Sequence, residues 1–255
     1  MITRFSMPYK GYDNIPINED ILLDLPFREG IGAVTMDHAK PHHPMTMNDP
    51  GGGSFAWTSL ASGLMVLDFV TVGGGFNDGV YLDCPAAKTV DLNFTAGDYS
   101  LSAWINWNSA GSWSEIIMAR YGVNLDGWET YLNVSGGRNT VSQRHSHVSL
   151  APNTNSTCFS TGWTPGTWAL LGISRTGGDL YPVHYRNGVA LTMAYEVSGM
   201  LDPDTCNRDF VIGCRYTKDA NWYKSKMSRP RIWNRALSAS DWLTIFKSER
   251  DWFGV

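Results

Sequence analysis

Glutamates are the first residues to consider, because glycoside hydrolysis requires two carboxylates held about 5–10 Å apart. Three acids at alternate positions of one strand would share a face and meet this requirement, but the sequence has no such run. A pair from two different strands, such as Glu115 and Glu129, stays open. A lyase would instead need Tyr, His and Arg, and only residues 144–147 together with Tyr131 offer them. We therefore expect a protein without catalytic residues.

Histidines and cysteines offer a second kind of chemistry, metal binding. His145 and His147 would point to one face of a strand, a spacing that suits a metal clip, and the loop bearing His38, His42 and His43 would add ligands. The simpler interpretation, which we prefer, is a solvent-facing strand for the pair and an exposed turn for the loop. The cysteines lack CxxC spacing, which argues against zinc or iron–sulfur ligation. They are Cys84, Cys158, Cys206 and Cys214, of which the last two either form a disulfide or, like the others, stay as buried thiols.

Tryptophans in unusual surroundings are the best candidates for ligand contact. Four of them lie in segments rich in Gly, Ser, Asn and Thr, and a fifth lies on the otherwise polar face of its strand. The four are Trp57, Trp113, Trp163 and Trp222, and the fifth is Trp104. An exposed indole offers a flat apolar surface and one N–H donor, which suits a sugar ring or a protein surface. The alternative is that these rings fill the corners between sheets.

The composition excludes several classes of protein. The 255 residues include 20 Lys and Arg against 24 Asp and Glu, and only 17% are charged, compared with about 25% in average soluble domains. The chain has no run of Lys and Arg, so it lacks the basic stripe that nucleic acids require. No apolar run approaches the roughly 18 residues of a membrane helix, and the N-terminus lacks the apolar core of a secretory signal. We expect a protein that neither spans a membrane nor binds nucleic acid.

Short alternating segments separated by turn residues predict an all-β protein. In residues 99–107, Leu101 and Ile105 alternate with Ser100 and Ser102, so one face should be core and the other wet. Further strands are predicted at 79–83, 115–120, 128–134, 141–150, 167–175, 180–186, 189–193, 210–215 and 226–234. These ten strands suit two packed antiparallel sheets, and residues 21–27 provide a further strand at the start.

Turn and capping residues complete the predicted organisation. Asn187 and Gly188 predict a type I′ hairpin, because both central residues of that turn need a positive φ. Ser238 with Asp241 predicts the start of one short amphipathic helix near the C-terminus. Residues 1–20 are predicted to be an extended N-terminal arm, residues 21–255 one domain, and residues 37–53 a loop within it.

Three short motifs carry a resemblance to a known family. They are the segment from Phe94 to Trp104 that ends in Ser-Ala-Trp, the Tyr-Arg-Asn-Gly of residues 185–188, and Arg-Ile-Trp-Asn-Arg-Ala-Leu-Ser at 231–238. Together with residues 25–32 they resemble the laminin-G-like domains of the concanavalin A-like lectin/glucanase superfamily, over about residues 22–255. The resemblance implies a two-sheet antiparallel jelly-roll sandwich with a short C-terminal helix and a surface that binds glycans or proteins.

The resemblance also implies a calcium ion at the rim of the sandwich. Calcium prefers several oxygen ligands from loops, and Asp68, Asp78 and Asp98 are the candidates. Family members often carry an acidic pair before the closing strand, where this chain has Ser228 and Arg229. The alternative is that the three aspartates cap turns.

Fold alone does not assign a function, because this superfamily contains lectins, glycosidases, adhesion modules and virion proteins. We expect a non-catalytic surface protein whose lectin-like domain contacts glycans or neighbouring subunits, with a homo-oligomer left open. The missing leader, the single domain and the arm favour a virion protein, such as a phage capsid decoration or fibre component at the virion surface. The alternatives are a secreted or cell-surface carbohydrate-binding or adhesion module of a bacterial protein, and a divergent glycoside hydrolase or polysaccharide lyase.

Overall fold

Strands dominate the part of the chain that the structure describes. The computed structural model describes residue 12 and residues 15–71, 78–108, 114–135, 138–150, 155–161, 165–196 and 199–255. In these residues the elements are β1 (Ile21–Asp24), β2 (Val34–Thr35), β3 (Met45–Asn48), β4 (Gly53–Ser59), β5 (Met65–Thr71), β6 (Tyr81–Cys84), β7 (Tyr99–Asn106), β8 (Glu115–Gly122), β9 (Asp126–Ser135), β10 (Arg138–Ser146), β11 (Asn155–Thr161), β12 (Trp168–Arg175), β13 (Val183–Arg186), β14 (Val189–Ala190), β15 (Met193–Tyr195), β16 (Phe210–Ile212), β17 (Lys226–Trp233) and the helix α1 (Ala239–Phe253). The all-β prediction is confirmed.

The strands form two antiparallel sheets that pack face to face as a jelly-roll sandwich. Sheet 1 has the order β14-β13-β12-β7-β17-β5-β4, and β1 pairs with β17. Sheet 2 has the order β15-β11-β10-β9-β8-β16-β6-β3-β2. The apolar residues on the inner faces of the two sheets form one continuous core. The predicted two-sheet sandwich is therefore confirmed.

Strand β7 shows how the sandwich forms and where the prediction of a wet face is wrong. Leu101 and Ile105 point into the core between the sheets, as the alternation predicts. The residues that point outward, Ser100 and Trp104, are buried as well. Helix α1 covers this face, and the Trp104 ring stacks on Phe253 with ring centres 4.0 Å apart. Alternation within one strand carries no information about a helix that packs on it from the end of the chain.

Helix α1 begins and ends as its sequence predicts. The Ser238 side chain accepts a hydrogen bond from the backbone N–H of Asp241, and the Asp241 carboxylate accepts one from the backbone N–H of Ser238. Trp242 and Ile245 bury one face of the helix against sheet 1, and Gly254 ends it with a φ of 70°. Within the described residues, no helix is long and apolar enough to cross a membrane.

The Asn-Gly hairpin is confirmed. Asn187 and Gly188 have φ values of 52° and 78°, and they join β13 directly to β14. The strand predicted at 189–193 is divided between the two sheets, because β14 ends at Ala190 in sheet 1 and Met193 begins β15 in sheet 2.

Residues 37–53, predicted to be a loop, contain strand β3, so this prediction is wrong. Met45 and Met47 point into the core, whereas Thr46 between them is exposed. Two methionines separated by one residue form too short an alternating pattern to indicate a strand among the surrounding Pro and Gly residues.

His43 fastens this segment to the sandwich and is buried, so the predicted exposed turn is wrong at this residue. Its Nδ1 lies 2.8 Å from the Asp37 carboxylate, and its Nε2 lies 3.1 Å from the Asp91 carboxylate. Burial alone would lower the pKa of His43, but the hydrogen bonds to the two carboxylates raise it to about 9. We therefore infer that His43 is protonated at neutral pH.

We expect the free energy of unfolding to fall between pH 6.5 and about 9, and the variant His43→Gln to lack this dependence. The unfolded chain releases the proton near its ordinary pKa of 6.5. The stabilisation is therefore complete below that pH and is lost as the pH rises through the folded-state value. The expected loss is about 1–3 kcal/mol. Urea unfolding across this pH range measures it, with exposed His38→Gln as the control. An unchanged pH dependence in His43→Gln would contradict the prediction.

The predicted N-terminal arm lies mostly outside the described residues. Of its described part, Pro16–Asn18 form a short 3₁₀ helix. The Tyr12 hydroxyl donates to the Asp24 carboxylate at 2.5 Å, and Trp233 Nε1 donates to the Ile17 carbonyl at 2.7 Å. These residues therefore contact the sandwich directly.

The four cysteines are buried free thiols. For Cys206 and Cys214 the sequence left two alternatives, a disulfide or free thiols. The structure has the free thiols.

Candidate functional site

A cleft of about 190 Å³ opens on the outer face of sheet 2. Strands β8, β9 and β10 form its floor, and residues 215–221, which follow β16, contribute to its wall. Tyr121, Glu129, Tyr131 and Arg144 all point to this face, because alternate residues of a strand share a side. The register of β9 and β10 places Glu129 directly opposite Arg144.

Arg144 is the centre of the polar contacts in the cleft. Its Nη1 lies 3.0 Å from Glu129 Oε1, its Nη2 donates to the Tyr131 hydroxyl at 2.7 Å, and its Nε donates to Thr157 Oγ1 at 3.2 Å. Its Cζ lies 4.8 Å from the centre of the Tyr131 ring, a cation–π contact. The Arg144 side chain is 28% exposed and that of Glu129 only 6%. The Arg144 side chain is therefore the more exposed part of this ion pair.

Burial changes the acid–base behaviour of two cleft residues. It raises the pKa of Glu129 from 4.5 to about 7, because the opposing effect of Arg144 offsets only part of the lost hydration. Burial also raises the pKa of the Tyr131 hydroxyl to about 12. Tyr131 therefore keeps its proton near neutral pH.

Aromatic and apolar groups complete the cleft. The rings of Tyr121 and Tyr216 meet edge to face with their centres 6.2 Å apart. Arg208 lies over the Tyr216 ring, with its Cζ 4.7 Å from the ring centre. Val123, another lining residue, is exposed. The cleft thus combines the half-buried Tyr216 ring and the exposed Val123 side chain with two partly exposed arginines, Arg144 and Arg215.

Glu129 is the one carboxylate among the described residues that line the cleft. The alternative partner, Glu115, lies opposite Leu132 in the register of β8 and β9, and Leu132 belongs to the core. Glu115 therefore points to the other face of sheet 2, where it accepts a hydrogen bond from the backbone N–H of Lys224 at 3.1 Å. The two glutamates do not form a pair across the cleft.

His145 and His147 are buried, so the prediction of a solvent-facing strand is wrong here. His145 pairs with core residue Trp128, on the face opposite to Arg144, and its Nε2 lies 2.7 Å from the Tyr99 hydroxyl. Burial, aided by the charge of Arg175, lowers the pKa of His145 to about 3. The set of groups considered for a lyase is therefore not assembled in the cleft.

Two of the five predicted contact tryptophans are buried, so the expectation of an exposed ring is wrong for both. Trp104 lies under helix α1, and its Nε1 donates to Glu249 at 2.7 Å. Trp222 stacks on Tyr81 with ring centres 6.2 Å apart, and its ring lies against Gly79, where a Cβ atom would overlap it. Both rings fill space between elements, which is the alternative that the sequence left open.

Of the other three tryptophans, Trp57 does not line the cleft either. Trp57 is half-buried on β4, packs against the core, and donates from Nε1 to the Gly32 carbonyl at 3.3 Å. Trp113 and Trp163 lie outside the described residues. The role of these three rings in ligand contact stays a prediction.

The three aspartates considered for calcium make separate contacts. Asp68 lies 3.5 Å from Lys226 Nζ, and Asp98 accepts a hydrogen bond from the backbone N–H of Gly177 at 2.8 Å. In the described part of the chain, no group of three His, Cys, Asp or Glu residues is arranged to hold a metal ion. Asp68, Asp78 and Asp98 therefore do not form one ligand set, and calcium binding stays a prediction.

The sequence indicates only part of the cleft. Glu129, Tyr131 and Arg144 are alternatives for catalysis in the sequence, whereas Tyr121 and Tyr216 carry no assignment there. Glu129 and Tyr131 carry a usable signal, since residues two apart on a strand share a face. Tyr216 lies in a segment without periodicity, so nothing local indicates that it returns to this sheet.

Solved structures with this fold include receptor-binding domains of botulinum neurotoxins. The serotype G binding domain is 14% identical with a TM-score of 0.62, and the match covers 90% of this chain and 51% of that chain. The serotype D/C binding domain is 13% identical with a TM-score of 0.63, covering 91% and 53%. The DC binding domain in complex with SialylT is 14% identical with a TM-score of 0.61, covering 91% and 52%. This chain thus spans about half the length of these structures, and identities this low show a shared fold alone.

A match between the sequence and a family model shows the family of this chain. No individual curated protein sequence matches the chain. A family model described as the concanavalin A-like lectin/glucanases superfamily matches residues 78–241, which include strands β6 to β17 and the start of α1. Because this match extends over nearly two thirds of the sequence, the chain belongs to the concanavalin A-like lectin/glucanases superfamily.

Proposed function

We propose that this chain is a non-catalytic, lectin-like protein that binds one sugar unit of a glycan in the cleft of sheet 2. The observation that carries the proposal is the partly exposed Arg144 side chain, which lines the same cleft as the half-buried Tyr216 ring. Sugars present C–H faces to aromatic rings and hydroxyl groups to charged side chains, so this combination suits them.

The size and rigidity of the cleft support a single small unit. Its volume of about 190 Å³ is below the roughly 300–1000 Å³ of sites for drug-sized ligands. Contacts with Glu129, Tyr131 and Thr157 hold Arg144 in place before any ligand arrives. Binding would therefore cost little side-chain entropy.

The chemistry of the cleft supports binding without catalysis. Glycoside hydrolysis needs a second carboxyl group about 5–10 Å from the first, and the described lining residues provide only Glu129. Elimination from an acidic sugar needs a base that reaches the substrate. The raised pKa of Tyr131 keeps its hydroxyl protonated at neutral pH, and the Glu129 side chain is only 6% exposed.

A glycan array followed by affinity measurements tests the proposal. For the glycan so identified, Tyr216→Ser is expected to weaken binding at least about tenfold, equivalent to about 1.4 kcal/mol, because it removes a ring face from the cleft. Tyr181→Ser is the matched control, since Tyr181 is exposed and does not line the cleft. Both variants should keep the unfolding temperature of the wild type.

A double variant separates recognition from folding. Glu129→Gln with Arg144→Gln leaves a neutral hydrogen-bonding pair and avoids an unpaired buried charge, and it should bind the glycan at least about tenfold more weakly. Wild-type affinity in this variant and in Tyr216→Ser, or the absence of any glycan ligand, would contradict the proposal. Polysaccharide cleavage by the wild type that Glu129→Gln abolishes would contradict the non-catalytic assignment.

We also propose that the protein belongs to a virion surface, as a phage capsid decoration or fibre component. The support is the N-terminal arm predicted for residues 1–20. Tyr12 and Ile17 of this arm contact the sandwich, and the residues before them would attach to a shell or to neighbouring virion proteins while the sandwich faces outward. Mass spectrometry of purified particles tests this location. Absence of the protein from purified particles would favour the alternative, a secreted or cell-surface carbohydrate-binding or adhesion module.

A further inference from the structure

An exposed tryptophan lies on the opposite side of the sandwich from the cleft, at the end of helix α1. Trp252 is 39% exposed, whereas Trp104 and Trp242 between the helix and sheet 1 are buried. Two guanidinium groups lie close to the Trp252 ring. The Cζ of Arg229 is 5.3 Å and that of Arg28 is 5.9 Å from the ring centre. This ring therefore combines an accessible surface with two neighbouring cations.

Positive charge exceeds negative charge around this ring. Arg231 Nη2 lies 2.7 Å from both oxygens of Glu249, and Arg229 Nη1 lies 3.0 Å from Glu249 Oε1. Arg231 Nε lies 3.9 Å from Asp24. Among the described residues, no carboxylate forms an ion pair with Arg28, which is exposed. Three arginines thus face two carboxylates, and the surplus charge lies at the exposed edge.

The backbone at Arg229 is held in an unusual conformation that directs this side chain. Arg229 has a φ of 51° and precedes Pro230, within an irregularity of β17 between Ser228 and Arg231. A bulky residue rarely adopts this region, and such conformations cluster at functional sites. Burial and the charge of Arg231 lower the pKa of Arg229 to about 10. An added anion would therefore stabilise the charged form of this side chain.

We propose that Trp252, Arg28 and Arg229 form a second binding site, which takes an acidic sugar with its ring on the indole and its carboxylate at the guanidinium groups. Guanidinium groups match the geometry of a carboxylate, and an indole matches the C–H face of a sugar ring. One exposed arginine and one whose side chain is only 15% exposed are too few for a nucleic acid, whose binding depends on many phosphate contacts. A neutral glycan would not use the surplus charge.

Calorimetric titration with two matched oligosaccharides tests the site. One is built of glucuronic acid and the other of glucose, with the same linkage and length. We expect the wild type to bind the acidic one at least about tenfold more tightly than the neutral one. Arg28→Gln and Trp252→Ser should each weaken binding of the acidic oligosaccharide at least about tenfold. Since no carboxylate among the described residues pairs with Arg28, the variant Arg28→Gln should retain the unfolding temperature of the wild type.

The control variant is Arg250→Gln, because Arg250 lies on the same helix but pairs with Asp251 and contacts the Phe246 ring. It should bind the acidic oligosaccharide as the wild type does. Equal affinity of the wild type for both oligosaccharides, or unchanged affinity in Arg28→Gln and Trp252→Ser, would overturn the proposal. The site shares no residue with the cleft. If Tyr216→Ser weakens binding of the acidic oligosaccharide and Arg28→Gln does not, the acidic sugar binds in the cleft. That result would overturn the second site alone.

Discussion

Replacing Glu249 with glutamine is expected to lower the free energy of unfolding by about 3–5 kcal/mol. The buried carboxylate of Glu249 accepts hydrogen bonds from Trp104 Nε1 and from Arg231, each at 2.7 Å, and also pairs with Arg229. Glutamine keeps the shape of the side chain but leaves Arg231, which is itself buried, with only the more distant Asp24 carboxylate at 3.9 Å. Urea unfolding at neutral pH measures the loss.

The neighbouring variant Asp251→Asn is the control for this prediction. Asp251 also lies on α1 but its side chain is 87% exposed, and it pairs with Arg250 at 3.5 Å. Loss of an exposed pair changes stability by no more than about 0.5 kcal/mol. A loss in Glu249→Gln as small as that in Asp251→Asn would show that the buried cluster does not stabilise the fold.

The same carboxylate should make the protein sensitive to acid. Burial alone would raise the pKa of Glu249, but Arg231 and Arg229 hold it below its ordinary value of 4.5. A group with a lowered folded-state pKa stabilises the protein above its unfolded-state pKa, and this contribution is lost as the pH falls through the folded-state value. Below pH 4.5, stability should therefore decrease more steeply in the wild type than in Glu249→Gln.

Replacing Trp104 with alanine is expected to cost about 3–5 kcal/mol of stability while the affinity of the cleft for its glycan stays unchanged. The indole is 0% exposed and stacks on Phe253 with ring centres 4.0 Å apart. It packs between sheet 1 and α1, on the other side of the sandwich from the cleft. Urea unfolding and glycan titration on the same preparations check both parts of the prediction.

Trp104→Phe divides this effect into packing and hydrogen bonding. Phenylalanine keeps most of the apolar contact but cannot donate to Glu249, so we expect an intermediate loss of roughly 1–3 kcal/mol. Full stability of Trp104→Ala combined with weaker glycan binding would restore the sequence-based assignment of Trp104 as a contact residue.

Local sequence features were sufficient where the structure depends on neighbouring residues. The Asn187-Gly188 turn and the Ser238 cap are confirmed, because a positive φ and a free helix N-terminus are properties of a few adjacent residues. Strand β3 was missed, because its burial depends on pairing with β6, which is distant in sequence.

The cleft was recognised only in part, for a similar reason. The alternation of Glu129 and Tyr131 is visible in the sequence, but their distance from Arg144 depends on the register of β9 and β10. The register of β8 and β9 places Glu115 on the opposite face, and no sequence pattern reports that. Tyr216 joins the site because the segment after β16 returns to the sheet.

The sequence by itself determined the all-β class, the hairpin, the capped helix and the superfamily, since each rests on residue patterns that are contiguous or nearly so. The tertiary structure alone decided which aromatic rings solvent can reach. Alternation along a strand distinguishes its two faces, but whether the second face is wet depends on elements that fold over it. Helix α1 buries Trp104 in this way and leaves Trp252 exposed between two arginines.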